Sequence, residues 1–327
     1  MKDLFYNAHF NKLSMRIKAF DSIFFIGSCF SSNISEKMHD RKFHILSNPF
    51  GILFDTLSIH KALEYIIDKK EYQTSDLFYH QELYGSWNHH TEFSDTSSEI
   101  AIHKINQKII EAHSFLKNTD TVVITLGSAF SYFHTNTNQF VANCHKIPQK
   151  EFEKKLISAI ELTVYLDEII QKIKTFNPKA EIILTISPVR HLRDGVIENN
   201  RSKAQLIEAV HQMISKNKKT HYFPSYEIVI DILRDYRFFD IDFAHPNYLA
   251  TEIVFQYFVD LCMDMEDIEL IEEMYKLKKA FNHRSLHPNT IAHQNFLKNH
   301  FEKVMNYAQK FPNVDFSNEI DYFSKNA

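Results

Sequence analysis

The chain has 327 residues, 44% hydrophobic and 14% aromatic, which supplies a substantial core and excludes a disordered polymer. Its formal charge is −4, from 37 basic and 41 acidic residues with no basic stripe, which argues against nucleic acid as the main partner. Three scattered cysteines, Cys29, Cys144 and Cys262, form no CxxC pair and point to reduced thiols in a cytoplasmic protein.

The opening stretch, MKDLFYNAHFNKLSMRIKAF, lacks both a continuous apolar h-region and a small-residue cleavage site, so it does not read as a secretory signal. No run approaches the roughly 18 to 20 apolar residues of a membrane span. Residues 22–26 are apolar and partly β-branched, a buried strand. A short helix over 31–39 follows, with Ser31 or Ser32 able to cap it. Residues 43–46 suggest a second strand, and NPFGILFD a loop broken by Pro49 and Gly51. A helix is predicted over 58–70. DLFYHQELYGSWNHHTEFSD is aromatic and aperiodic, and 98–117 is helical by the spacing of Ile102, Ile105 and Ile109. Residues 122–126 form the clearest strand, ended by Gly127.

A long helix is expected over about 150–176, with Leu156, Ile160, Val164, Ile170 and Ile173 on one face. Residues 182–186 are another buried strand, stopped before Pro188. A helix over 202–217, a short apolar piece at 221–223 and a helix over 226–233 come next. The turn DFAHPN then opens a helix at about residue 247. Strands alternating with helices imply βαβ units, a parallel sheet covered by helices on both faces. Beyond residue 263 the chain is charged, helical and strandless. The expected division is a sheet domain over 1–263 and a helical C-terminal extension over 264–327, the latter a lid or a homo-oligomer contact.

The chain has only five glycines, and three of them, Gly27, Gly51 and Gly127, fall at or near strand ends. Ligands of open parallel sheets bind outside those ends. Gly27 permits a sharp turn, and Ser28 and Cys29 follow it at a helix N-terminus, where backbone N–H groups favour developing negative charge. In DFAHPN, Asp242 lies three residues before His245. A carboxylate there can hold the imidazole by Nδ1–H and leave the other nitrogen to accept a proton.

The motif GSCFS resembles the signature of the GSCFA family, and NPFGILF, TLGSAF, VANCHKIP, SPVRHLRDG and YFPSYEIVIDILRDYRFFDIDFAHPN resemble its other blocks, from about residue 23 to 258. That family is in turn similar to the SGNH (GDSL-like) hydrolases. The resemblance implies a flavodoxin-like α/β fold and a Ser28–His245–Asp242 triad acting on ester-linked acyl groups. It also implies an oxyanion hole built from the N–H groups of Ser28 and Gly51. Where SGNH enzymes carry a G-x-N block, this chain has Gly127-Ser128-Ala129. Asn143 is the candidate replacement for the asparagine, and Asn48 the second.

Cys29 rivals Ser28, because a thiolate near a helix N-terminus is activated. Consecutive residues cannot both face His245, and the resemblance assigns the serine. Gly127, Arg190, His191, Trp87, His89 and His90 are candidate substrate contacts, with a structural ion pair or loop packing as the alternative for the arginine and the aromatic residues. No HxxxH or HExxH spacing appears, so neither metal nor cofactor is expected. The expected function is ester hydrolysis on a small-molecule or glycan substrate. Acyl transfer by the same mechanism, or non-catalytic binding of a glycan or cell-wall precursor, is the alternative.

Overall fold

A computed structural model describes residues 8–326. The first seven residues, part of the N-terminal stretch read above, lie outside the described residues. In chain order the elements are β1 (Ser22–Gly27), α1 (Cys29–His39), β2 (His44–Ser47), α2 (Thr56–Ile67), β3 (Phe78–His80), β4 (Leu83–Gly85) and α3 (Ser98–Asn118). They continue with β5 (Thr121–Leu126), β6 (Phe130–His134), β7 (Phe140–Val141), β8 (Phe152–Leu156), α4 (Ala159–Phe176), β9 (Glu181–Ile186), α5 (Gly195–Lys216) and β10 (Thr220–Phe223). The last are α6 (Ser225–Glu227), α7 (Tyr248–Cys262), α8 (Met265–Asn282), α9 (Ile291–Lys310) and α10 (Ser317–Asn326).

The four apolar runs predicted as strands, with the short piece at 221–223, form one parallel sheet in the order β2-β1-β5-β9-β10. Counted along the chain this is the flavodoxin-like order, with a switch point between β1 and β5. Alternate side chains go to opposite faces. Phe24, Ile26, Val122, Ile124, Ile182 and Leu184 meet α2 to α5 on one face. Ile23, Phe25, Val123, Ile183 and Phe223 meet α1, α7 and the segment Ile228–Leu233 on the other. Burial on both faces is why these strands read as continuous apolar runs.

Four features differ from the sequence reading. The predicted helix over 150–176 begins instead as β8, which pairs antiparallel with β6, and α4 starts only at Ala159. There Ser158 and Glu161 form a capping box that fixes the helix start. The aromatic insertion contains the hairpin β3–β4, and β7-β6-β8 makes a second small sheet. α1 begins earlier than predicted, and its cap is Ser28 rather than Ser31 or Ser32, because those hydroxyls bond Thr125 Oγ1 and Asn48 Nδ2 instead. The predicted helix over 226–233 is one α-turn followed by a π-turn, closed by Arg234 at φ 40°.

After α7, helix α8 bridges two cores. Ile271 packs with the sheet domain, while Met274 and Leu277 join Leu297, Val304, Phe316 and Phe323 in a separate helical cluster. Among the described residues no helix is long and apolar enough to cross a membrane.

Candidate active site

The first strand ends in a position only glycine can fill. Gly27 has φ +135°, and a Cβ there would lie 2.1 Å from the carbonyl oxygen of Thr125 on β5. The Gly27 N–H donates to Asn48 Oδ1 at 2.8 Å, and Asn48 Nδ2 donates to Ser32 Oγ at 2.9 Å. The β1–α1 turn is thereby tied to the end of β2. Ser28 is 1% exposed, and its Oγ accepts the Phe30 N–H at 3.3 Å as the helix cap. Cys29, the first helical residue, is partly exposed. Burial pushes its thiol up, an effect the backbone N–H groups of Cys29 and Phe30 at the helix start offset only in part.

The second part comes from the loop before α7. Phe243, at φ 56°, bends the chain so that the Asp242 carboxylate reaches back over its own successors. Oδ1 accepts the N–H of Ala244 at 2.9 Å and of His245 at 3.0 Å, while Oδ2 meets His245 Nδ1 at 2.6 Å. These bonds, the His245 N–H first, then the Ala244 N–H and then the imidazole, hold the Asp242 carboxyl down at about 2. Asp242 is therefore an anion that fixes the imidazole with Nδ1 protonated, and Nε2 makes no hydrogen bond among the described residues. The Arg190 N–H donates to Ala244 O at 3.2 Å, docking the loop onto the end of β9.

Cys29 and His245 line one cavity of about 560 Å³, together with Val189, Asn247, Tyr248 and Tyr275. Ser28 does not line it. The walls come from α1, from Val189 just beyond β9, from the loop before α7, and from α7 and α8, so the start of α1 and the histidine meet in one crevice.

The sequence profile of the GSCFA family matches residues 22–258, which is most of the chain and spans both halves of this crevice. The chain belongs to the GSCFA family. A second profile, GSCFA domain protein, C-terminal domain, matches residues 274–326. A solved structure from Streptococcus pneumonia, provisionally described as a platelet activating factor, is similar at 13% identity and a TM-score of 0.38, over 73% of this chain and 83% of its own. No curated protein matches.

In this GSCFA chain the expected oxyanion donors are already engaged. The Ser28 N–H donates to Thr125 O at 3.1 Å and the Gly51 N–H to Asn48 O at 2.8 Å. Asn143 Oδ1 accepts the His145 N–H at 2.8 Å, and Asn143 does not line the cavity shared by Cys29 and His245. Asn48, the second candidate, lies against Gly27 as described. The Phe30 N–H is taken by Ser28 Oγ, and at the turn the Cys29 N–H is left with no hydrogen bond among the described residues.

The other expected contacts separate. Trp87 stacks on Phe78 at 4.1 Å and touches His134 and Phe152, so it packs the insertion against the small sheet. His89 is 1% exposed and stacks on Phe50 at 4.1 Å, and burial pushes it down to about 3. His90 lines a different cavity, of about 710 Å³, with Asn48 and Gly51. Arg190 is held by Phe239, 4.3 Å below its guanidinium, and donates to Phe243 O at 3.3 Å. It lines a third cavity, of about 690 Å³, with Tyr226, Tyr236 and Phe243. His191 Nε2 bonds Gly127 O at 3.2 Å, and burial, then the charge of Lys203, push it down to about 4. Among the described residues no group of three His, Cys, Asp or Glu side chains could hold a metal ion.

Two residues at the site escaped the sequence reading. Tyr275 comes from the C-terminal helices and closes the wall opposite His245. Lys203 is buried beneath the strand ends. Its signal was present: it lies on the buried stripe of α5 with Asn199, Leu206, Val210 and Met213.

Proposed function

We propose that this GSCFA protein is a hydrolase of ester-linked acyl groups whose nucleophile is the Cys29 thiol. His245 is its base and Asp242 orients the ring. The observation that carries the reading is that Cys29 and His245 line the same cavity while Ser28, 1% exposed, does not. The similarity of the GSCFA signature to SGNH hydrolases supplies the plan: a nucleophile at the first strand end and an Asp-x-x-His in the last block. Here the second residue after the glycine takes the part that the resemblance assigns to Ser28.

His245 Nε2 accepts the thiol proton, and the sulfur attacks the substrate carbonyl. The oxyanion faces the Cys29 N–H at the start of α1. Collapse breaks the ester C–O bond, and His245 returns the proton to the departing alcohol. Water, activated by the same imidazole, releases the acid and restores the thiol. If an acceptor hydroxyl replaces water, the same steps transfer the acyl group. A binding role without turnover is the second reading, favoured by the internal bonds of the Ser28 and Gly51 N–H groups.

Turnover of short acyl esters by the full chain separates these readings. Cys29→Ala and His245→Ala should each lose at least about 10³-fold, with the double variant little worse, because the residues act as a unit. Ser28→Ala should stay within tenfold, while losing about 1 kcal/mol of stability with its cap. A dead Ser28→Ala beside an active Cys29→Ala restores the serine mechanism. No turnover by the unmodified chain on any acyl ester favours the binding role.

A further inference from the structure

Lys203 is 1% exposed and, among the described residues, has no carboxylate partner. Its Nζ donates to Gly127 O at 2.7 Å and to Ser187 O at 2.6 Å, the carbonyls just beyond the ends of β5 and β9. β5 is the neighbour of β1, whose end leads directly into Cys29. Helix α5 is tied to the segments beyond β5 and β9 by two further bonds, from the His191 N–H to Asn199 Oδ1 at 3.0 Å and from the Ala129 N–H to Ser202 Oγ at 2.8 Å.

A structural tie between two carbonyls does not require a charge, and burying an ammonium without an anion is costly. The groups facing Lys203 come from three elements. His191, beyond β9, shares the Gly127 carbonyl and is held neutral, far below its usual range. Tyr226 of α6 lies 5.9 Å from Nζ, and burial pushes its phenol up, so it too is neutral. Cys29 of α1 is the remaining group: burial pushes its thiol up on balance, the lysine charge works against that rise, and the thiolate in turn raises the lysine. It is the one neighbour that can offer Lys203 an anion.

The geometry points to Lys203 as a positioning residue of the acyl-transfer site: an ammonium held at the ends of β5 and β9, beside the strand that leads into Cys29, that stabilises the Cys29 thiolate and the anion formed from it. This rests on the reading of Cys29 as nucleophile. An ammonium has three N–H groups, and the two carbonyls use two of them, so one is left for the sulfur side. Burial, offset in part by the charge of Cys29, brings Lys203 down to about 7, so charge here is poised to follow the state of the thiol. The role also answers the absence of the G-x-N asparagine, because the residues that follow Gly127 offer no amide donor.

Alkylation of the full chain by iodoacetamide, with Cys29 resolved from Cys144 and Cys262 by peptide mass spectrometry, tests this without any substrate. Lys203→Met, folded, should alkylate Cys29 about tenfold more slowly at pH 7, with the pH midpoint moved up by about one unit. Lys203→Arg should return the midpoint to that of the native chain. A Lys203→Met protein with the native midpoint, altered only in melting temperature, reduces the lysine to a structural tie and overturns the proposal. Should Lys203→Met fail to fold, ¹⁵N-lysine NMR of Cys29→Ser decides. The Lys203 titration should then fall relative to the native chain, because its anion is gone, and an unchanged titration overturns the proposal. Loss of ester turnover as a property of the protein would leave these readings intact and so would fail separately.

Discussion

Gly27 is where the fold and the site depend most on one position. An alanine there would place its Cβ 2.1 Å from the Thr125 carbonyl and keep φ at +135°, a strained value for any side chain. Backbone strain and overpacking together predict a loss of about 2–6 kcal/mol for Gly27→Ala by urea unfolding. Gly127→Ala should cost clearly less, since the nearest atom to its Cβ, Phe54 O, is 3.0 Å away and its φ is ordinary. Equal losses at the two sites would refute the steric account. The same turn marks a limit of the sequence. A glycine after an apolar run, and a carboxylate three residues before a histidine, are local signals and could be read directly. Whether Ser28 or Cys29 faces the cavity is set by a single step of helix rotation, and that depends on which hydroxyl takes the Phe30 N–H. Three serines competed for the cap, and their other partners, Thr125 and Asn48, lie far away in the chain.

At the scale of elements, α8 is the joint between the sheet and the helical C-terminal region. Ile271 is fully buried against the sheet domain, and Glu272 and Tyr275 hold the buried Arg41 by an ion pair and by a ring 4.0 Å from its guanidinium. We propose that the segment from residue 264 is a separate unit that completes the site rather than the core. A chain cut after residue 263 should then fold, with stability lowered by about 1.5–3 kcal/mol for Ile271 alone and further for the exposed Arg41. A truncated chain with no cooperative transition in thermal melts would make α8 part of the sheet domain. The large sheet was legible because strands covered on both sides are continuous apolar runs. β3, β4 and β6 to β8 were not. They are two to five residues long, mix aromatic with charged positions, and become strands only by pairing with one another. In β8 the alternation of FEKKL was hidden because Leu156 also fits the helical spacing of α4.

The whole molecule carries opposing titrations. Burial pushes His89 down to about 3, whereas burial raises Asp21 to about 6. As pH falls below about 6.5 the unfolded chain protonates its histidines first, so His89 makes the native state less stable in acid. Asp21 acts in the other direction, because its folded carboxyl takes up a proton more readily than its unfolded one. Comparison with His89→Phe isolates the histidine, since phenylalanine keeps the ring packed on Phe50. Urea midpoints should show the native chain losing stability relative to His89→Phe between pH 6.5 and 4, at up to about 1.4 kcal/mol per pH unit. Parallel curves would mean that His89 is protonated in the folded protein.

The crevice is assembled from the two ends of a long stretch of chain, and this gives it an order in time. Cys29 leaves the ribosome about 200 residues before His245, a delay on the order of ten to forty seconds at about 5–20 residues per second. Throughout that interval the sulfur has neither His245 nor the Asp242 loop beside it, and β9 and β10 are still to come for much of it. Tyr275 arrives later still. On the proposed reading a nascent chain therefore cannot turn over an ester at this position, and competence begins only when the last wall docks.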